Sequence, residues 1–153
     1  MVAKGIKGLL GGIAVIALGT GPVLAAGAAD LVRARVNGFR ELGASFKSVN
    51  DELRGGKPQP IMLQLAVRQI RTVATQQYAW FPAGSGPQAG VKTKARPEIW
   101  TKAPAFKAAQ DAYARQATAF SAAVASNDIA KIRAATKSLG ATCAACHKQF
   151  RVD

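Results

Sequence analysis

The chain has 153 residues, 49% of them hydrophobic, enough for one domain with a buried core and too few for several. Its 21 Lys and Arg outnumber 8 Asp and Glu, for a formal net charge of +13. These cations are scattered without interleaved aromatics, which argues against nucleic acid and leaves an acidic protein or an anionic membrane surface as charge partners.

The first segment reads as a targeting signal. Lys4 and Lys7 form a positive start, Gly8 to Leu18 are apolar, and small residues follow. Two sites fit small-x-small cleavage, after Ala25 or after Ala28. Residues 1–28 are therefore expected to be a signal peptide and 29–153 the mature domain, placed in the periplasm. The uncharged run Gly8 to Ala29 is long enough for an anchor, but Gly19, Gly21 and Pro22 interrupt it. Loss of the two lysines takes the charge from +13 to +11.

Ala, Leu, Lys, Gln and Arg dominate the second half, and no long polar/β-branched alternation occurs, so the expected class is all-α. In the first helix Val32, Arg35 (or Val36), Phe39, Leu42, Phe46, Val49 and Leu53 step by three and four, one apolar seam with a single polar member. Gly55, Gly56 and Pro58 end it. A second helix is expected from Pro60, with Met62, Ala66, Ile70, Val73, Gln77 and Trp80 on its stripe. A long loop begins at Phe81-Pro82. Pro97 and Glu98 mark a short turn, and Pro104 the third helix, whose seam is Phe106, Ala109, Tyr113, Ala117, Phe120 and Val124. Ser126, Asn127 and Asp128 supply caps for a fourth, carrying Ile129, Ile132, Ala135, Leu139, Cys143, Cys146 and Phe150. Four such stripes cannot be buried alone, so an antiparallel four-helix bundle is expected.

The chemistry lies in Cys143-Ala144-Ala145-Cys146-His147. C-x-x-C-H is the attachment signature of c-type haem: residues three apart share a helical face, so both thiols reach the macrocycle while the adjacent imidazole reaches iron. A thioredoxin-like motif would open a helix after a strand, and none precedes it. Zinc would need further ligands, yet His147 is the only histidine and there is no third cysteine. A disulfide would be held in poor geometry by the helix. One covalent haem c with its iron on His147 is the expected cofactor.

Three blocks carry a family resemblance over most of the mature chain. They are Arg35-x-x-x-Phe39 with Leu42-Gly43-Ala44-Ser45-Phe46-Lys47; Trp80-Phe81-Pro82-x-Gly84-Ser85-Gly86 with Pro97-Glu98-Ile99-Trp100; and Cys143-x-x-Cys146-His147-x-x-Phe150-Arg151. In these the sequence resembles cytochrome c′, itself a standard example of the up-down four-helix bundle. The resemblance implies that the first helix supplies the residue over the open haem face, four after the matching arginine, which is Phe39. Methionine there would ligate iron; phenylalanine cannot. It also implies a homodimer through the first two helices.

Counting ligands points the same way. Bis-histidine coordination within one chain is impossible, and Met62 is the only methionine outside the signal. A five-coordinate haem binding NO or CO is the expected function, or electron cycling with an acidic redox partner; the alternative is a six-coordinate low-spin carrier with a methionine ligand. No nucleophile–base pair supports an enzyme. Arg151, four after His147, is expected near the imidazole or a propionate, or simply as a cation at a helix C-terminus. Arg35 is expected to pair a propionate or to snorkel at the bundle rim.

Overall fold

The breakers fall where the helices end. The structure, a computed structural model, describes residues 21–152, so most of the expected signal peptide lies outside the described residues. Helix α1 spans Gly21–Arg54, running through both Ala25 and Ala28, and α2 spans Pro60–Gln76. Short 3-10 turns follow at Gln77–Ala79 and Pro87–Ala89. Then come α3, a single turn at Glu98–Thr101, α4 at Ala103–Ala125 and α5 at Ile129–Phe150. No helix among the described residues is long and apolar enough to cross a membrane.

Local chemistry explains the boundaries. Pro60 opens α2 at a position where its missing N–H costs nothing. Asp128 caps α5 by accepting the backbone N–H of Lys131 at 3.1 Å, while Asn127 takes a left-handed φ of 52° to turn the chain. Short connections make α1 and α2, and α4 and α5, antiparallel neighbours, while the long 77–102 connection returns the chain so that α4 packs on α2. The stripes meet in one core of Val49 and Leu53 from α1, Leu63 to Val73 from α2, Tyr113 to Val124 from α4, and Ile132 and Leu139 from α5. Burying a side chain such as Phe120 or Ile70, both 0% exposed, contributes about 1.5–3 kcal/mol.

Helices α1 and α5 touch much less. They come closest where Gly140 faces Phe46: a β-carbon at Gly140 would lie 3.0 Å from the Phe46 ring. Beyond that contact, toward the C-terminus of α5, few contacts join the two helices, and the space between them there is the candidate crevice.

Candidate cofactor site

That crevice is where the sequence motif lies. Gly140 and Phe46 form its floor, and α1 and α5 run antiparallel past it. Seven residues back along α1 is Phe39; seven residues forward along α5 is His147. Each step covers about 10 Å of helix, which sets the two at about the same level, one on α1 and one on α5. Phe39 is the exposed member of an otherwise buried or half-buried seam, with 37% of its surface accessible.

Cys143 and Cys146 occupy one face of α5, as their spacing requires. Both are half-buried free thiols; Cys143 packs against the main core, and Cys146 against a second cluster of Ile99, Phe106 and Phe150. Burial pushes both thiols up, Cys146 to about 11, where the neighbouring Cys143 adds to the effect. They are therefore protonated at neutral pH, the opposite of a redox-active C-x-x-C pair. The His147 imidazole is exposed at the crevice side, its pKa lowered by partial desolvation and then by the Arg151 guanidinium. A neutral imidazole has a free lone pair for a metal.

Arg151 lies just past the helix, not on its last turn. Its backbone is extended (φ −124°, ψ 137°), its N–H donates to the His147 carbonyl at 3.1 Å, and it forms an isolated antiparallel bridge with Ala95. Flanking bonds run from Arg96 N–H to the Phe150 carbonyl and from Val152 N–H to the Lys94 carbonyl. The helix ends because this pairing satisfies the terminal backbone groups outside it.

Arg35 corrects the sequence expectation more strongly. It is 2% exposed, not at the rim, and its guanidinium is engaged with protein acceptors. It donates to the Trp80 carbonyl (3.1 Å), to Ser85 Oγ (3.2 Å) and carbonyl (2.9 Å) and to Thr93 Oγ1 (3.1 Å), and lies 4.5 Å over the Phe81 ring. A guanidinium is suited to this because its donors fan out in a rigid plane. Arg35 thus organises the α2–α3 loop from a buried position, not from the bundle rim.

The loop in turn lines the crevice. Phe39 meets Trp80 edge-on at 4.9 Å and Phe81 at 6.1 Å; Phe81 continues to Phe106 at 4.8 Å, and Phe106 to Phe150 at 5.1 Å. This aromatic chain links the Phe39 wall to the last turn of α5. Sequence reading missed two supports: Gln77 and Gln110, buried, donate to each other's backbone carbonyls at 3.1 and 3.0 Å, and Gly38 admits the Trp80 indole. A glutamine on an apolar stripe was the available signal.

The residues fit a flat, apolar, covalently attached macrocycle. Two thiols on one face, one imidazole, an aromatic lining and an exposed Phe39 at the height of His147 match its needs. Among the described residues no group of three His, Cys, Asp or Glu could hold a metal alone, so iron must bring most of its own donors.

Comparison with known proteins agrees. The sequence model of the cytochrome C′ family matches residues 30–151. Cytochrome c′ from Alcaligenes xylosoxydans xylosoxydans is 32% identical over 123 residues, 80% of this chain and 93% of the relative. That of Rubrivivax gelatinosus is 31% identical over 123 residues, 80% of this chain and 94% of the relative. Among solved structures, a nitric oxide complex of a variant of cytochrome c prime from Alcaligenes xylosoxidans has a TM-score of 0.73 at 29% identity, covering 82% of this chain and 97% of that one. Cytochrome c′ from Thermochromatium tepidum, at 22% identity, shares the fold with a TM-score of 0.77 over 82% of this chain and 97% of its own. The chain belongs to the cytochrome c′ family and is a four-helix-bundle haem protein with covalently attached haem c.

Proposed function

We propose that this is an exported, five-coordinate haem c protein that binds a small diatomic ligand, NO or CO, on the Phe39 side of the iron. What supports it is the register: Phe39 and His147 each lie seven residues from the Gly140–Phe46 contact on antiparallel helices, and so at about the same level. Cys143 and Cys146 hold the haem edge through thioethers, His147 supplies the proximal nitrogen, and Phe39 covers the opposite face without a donor atom. When bound, haem supplies a ferrous iron able to accept a gas in its sixth position. Relatives support the gas: solved structures include NO complexes and a CO-bound variant of the Alcaligenes xylosoxidans protein. With the sole imidazole committed to iron, no nucleophile–base pair remains, and the protein is a binder or carrier rather than an enzyme.

Charge favours a second role in electron transfer. Asp30, Asp51, Asp111 and Asp128 are each satisfied by a local Lys or Arg. Lys94, Arg96, Lys148 and Arg151, by contrast, lie in or beside the bridged segments next to His147, with no ion pair to a described residue. An acidic redox partner would dock there, with association falling as salt rises, since exposed charges are screened within about 10 Å at 0.1 M. The same charge suits an anionic membrane surface. The family's dimer through α1 and α2 would cover Ile61 and Leu65, exposed on α2.

The deciding test is spectroscopic. Ferrous protein should be high-spin and take up CO slowly; Phe39→Ala should speed uptake, and Phe39→Met should give a low-spin six-coordinate spectrum. Met62 starts α2, about 22 Å along the helix from Gln77, so Met62→Leu should leave the spectrum unchanged. A resting low-spin spectrum that turns high-spin in Met62→Leu would overturn the proposal in favour of the methionine-ligated carrier. Intact mass should show one haem on a chain beginning near residue 26 or 29.

A further inference from the structure

One turn of α1 makes three separate contacts with the same loop residue. Arg35 donates to the Trp80 carbonyl and fixes its backbone. Gly38 lies so close to the Trp80 indole that a β-carbon there would be 2.5 Å from the ring. Phe39 packs its ring edge-on against that indole at 4.9 Å, with Phe81 behind at 6.1 Å and Phe81 itself under the Arg35 guanidinium.

We propose that Trp80 is a positioning residue for ligand entry: a rigid backstop, held by Arg35 and seated in the notch at Gly38, that decides how far Phe39 can recede when a gas approaches the iron. The inference rests on Phe39 as the cover of the open haem face. A ring leaving that face has two ways to go, toward the loop or toward solvent. The loop side is closed by the indole and by Phe81, and the loop cannot yield without breaking the buried hydrogen bonds of Arg35 to Trp80, Ser85 and Thr93. Only the solvent direction then remains. The slowness of ligand entry then belongs to the pair Phe39–Trp80 and not to Phe39 alone. The notch makes this arrangement depend on glycine: a methyl group on α1 at position 38 pushes the indole off the helix, and so away from the Phe39 ring.

The experiment is a double-mutant cycle on haem-loaded protein, with CO association and dissociation followed after rapid mixing. Trp80→Leu should speed association about fivefold, the scale of one aromatic contact, and leave dissociation nearly unchanged. Gly38→Ala should act in the same direction. In a Phe39→Ala background neither change should have a further effect, because the ring they confine is gone. The stretching frequency of bound CO, which reports crowding at the open face, should move in Trp80→Leu toward its Phe39→Ala value; a merely structural loss would not move it. Trp80→Phe, which keeps a ring, guards against misfolding and should lie between native and Trp80→Leu. If Phe39→Ala speeds association but Trp80→Leu does not, or if their effects simply add, the backstop is refuted while the gas-binding reading stands. If Phe39→Ala itself changes nothing, Phe39 is not the cover of the open face and the backstop falls with it; the gas-binding reading falls only if the native ferrous protein takes up no CO.

Discussion

Where α1 ends and α2 begins, the bundle is closed by aliphatic packing: Leu53, Leu63, Val124 and Ile132 interlock, and Phe120 fills the space beside them without any exposed surface. At the opposite end, where α1 passes the last turns of α5, a smaller apolar cluster of Ile99, Phe106 and Phe150 is joined by the buried polar groups Arg35, Gln77, Ser85 and Gln110, set among aromatic rings. The first end is held by shape, which tolerates volume-conserving exchange. The second is held by directional bonds, which fix particular side chains in particular places and fail when one partner is lost. An apolar core suffices to make a bundle; the crevice wall needs the second kind of order.

The contrast can be broken by mutation, most severely at the packed end. Phe120→Ala should cost about 4 kcal/mol in denaturant unfolding, through lost burial and a residual cavity. CO association by the fraction still folded should match native, since the ring is remote from Phe39. A changed rate would mean that the two ends are mechanically coupled.

Arg35→Met should cost less, about 3 kcal/mol, by leaving buried acceptors on Trp80 and Ser85 without donors. Its effect should be local in a way that of Phe120→Ala is not: limited proteolysis should cut first between residues 81 and 93, ahead of global unfolding. Uniform protection of that loop in Arg35→Met would show that the aromatic contacts alone hold it.

The smallest effect belongs to a cap. Asp128 is held below the usual carboxylate value, chiefly by the backbone N–H of Lys131. Its contribution is therefore present above the ordinary carboxylate range and fades as pH falls through the lowered pKa. Asp128→Ala should lower Tm by a few degrees at pH 7, and the difference from native should disappear in stronger acid. A gap that persists at low pH would assign the loss to something other than the charged cap.

The helices were readable because their signals are local. Pro60, the Ser126 to Asp128 caps and the three- and four-residue stepping of apolar side chains each act within a turn or two, and the structure follows them. The C-x-x-C-H run was readable for the same reason, since its geometry is that of one helical turn. The wall of the crevice was not. Arg35 looked like a rim cation because its acceptors on Trp80, Ser85 and Thr93 are 45 to 58 residues away in the chain. Gly38 looked like an indifferent helical residue because the indole that needs its missing β-carbon arrives from another element. Arg151 continued the helix on paper, and left it because Ala95 offers a bridge.

The meeting of Gly140 with Phe46 acts as a depth stop. It lies one turn before Cys143, so the first thiol stands directly above the point where α1 and α5 close. A planar group tethered at Cys143 would meet the Phe46 ring on its inner side, so the bundle beyond that contact would stay closed to it. Gly140→Ala would press on the tip of the Phe46 ring and shift it by a few tenths of an ångström, moving the stop rather than removing it.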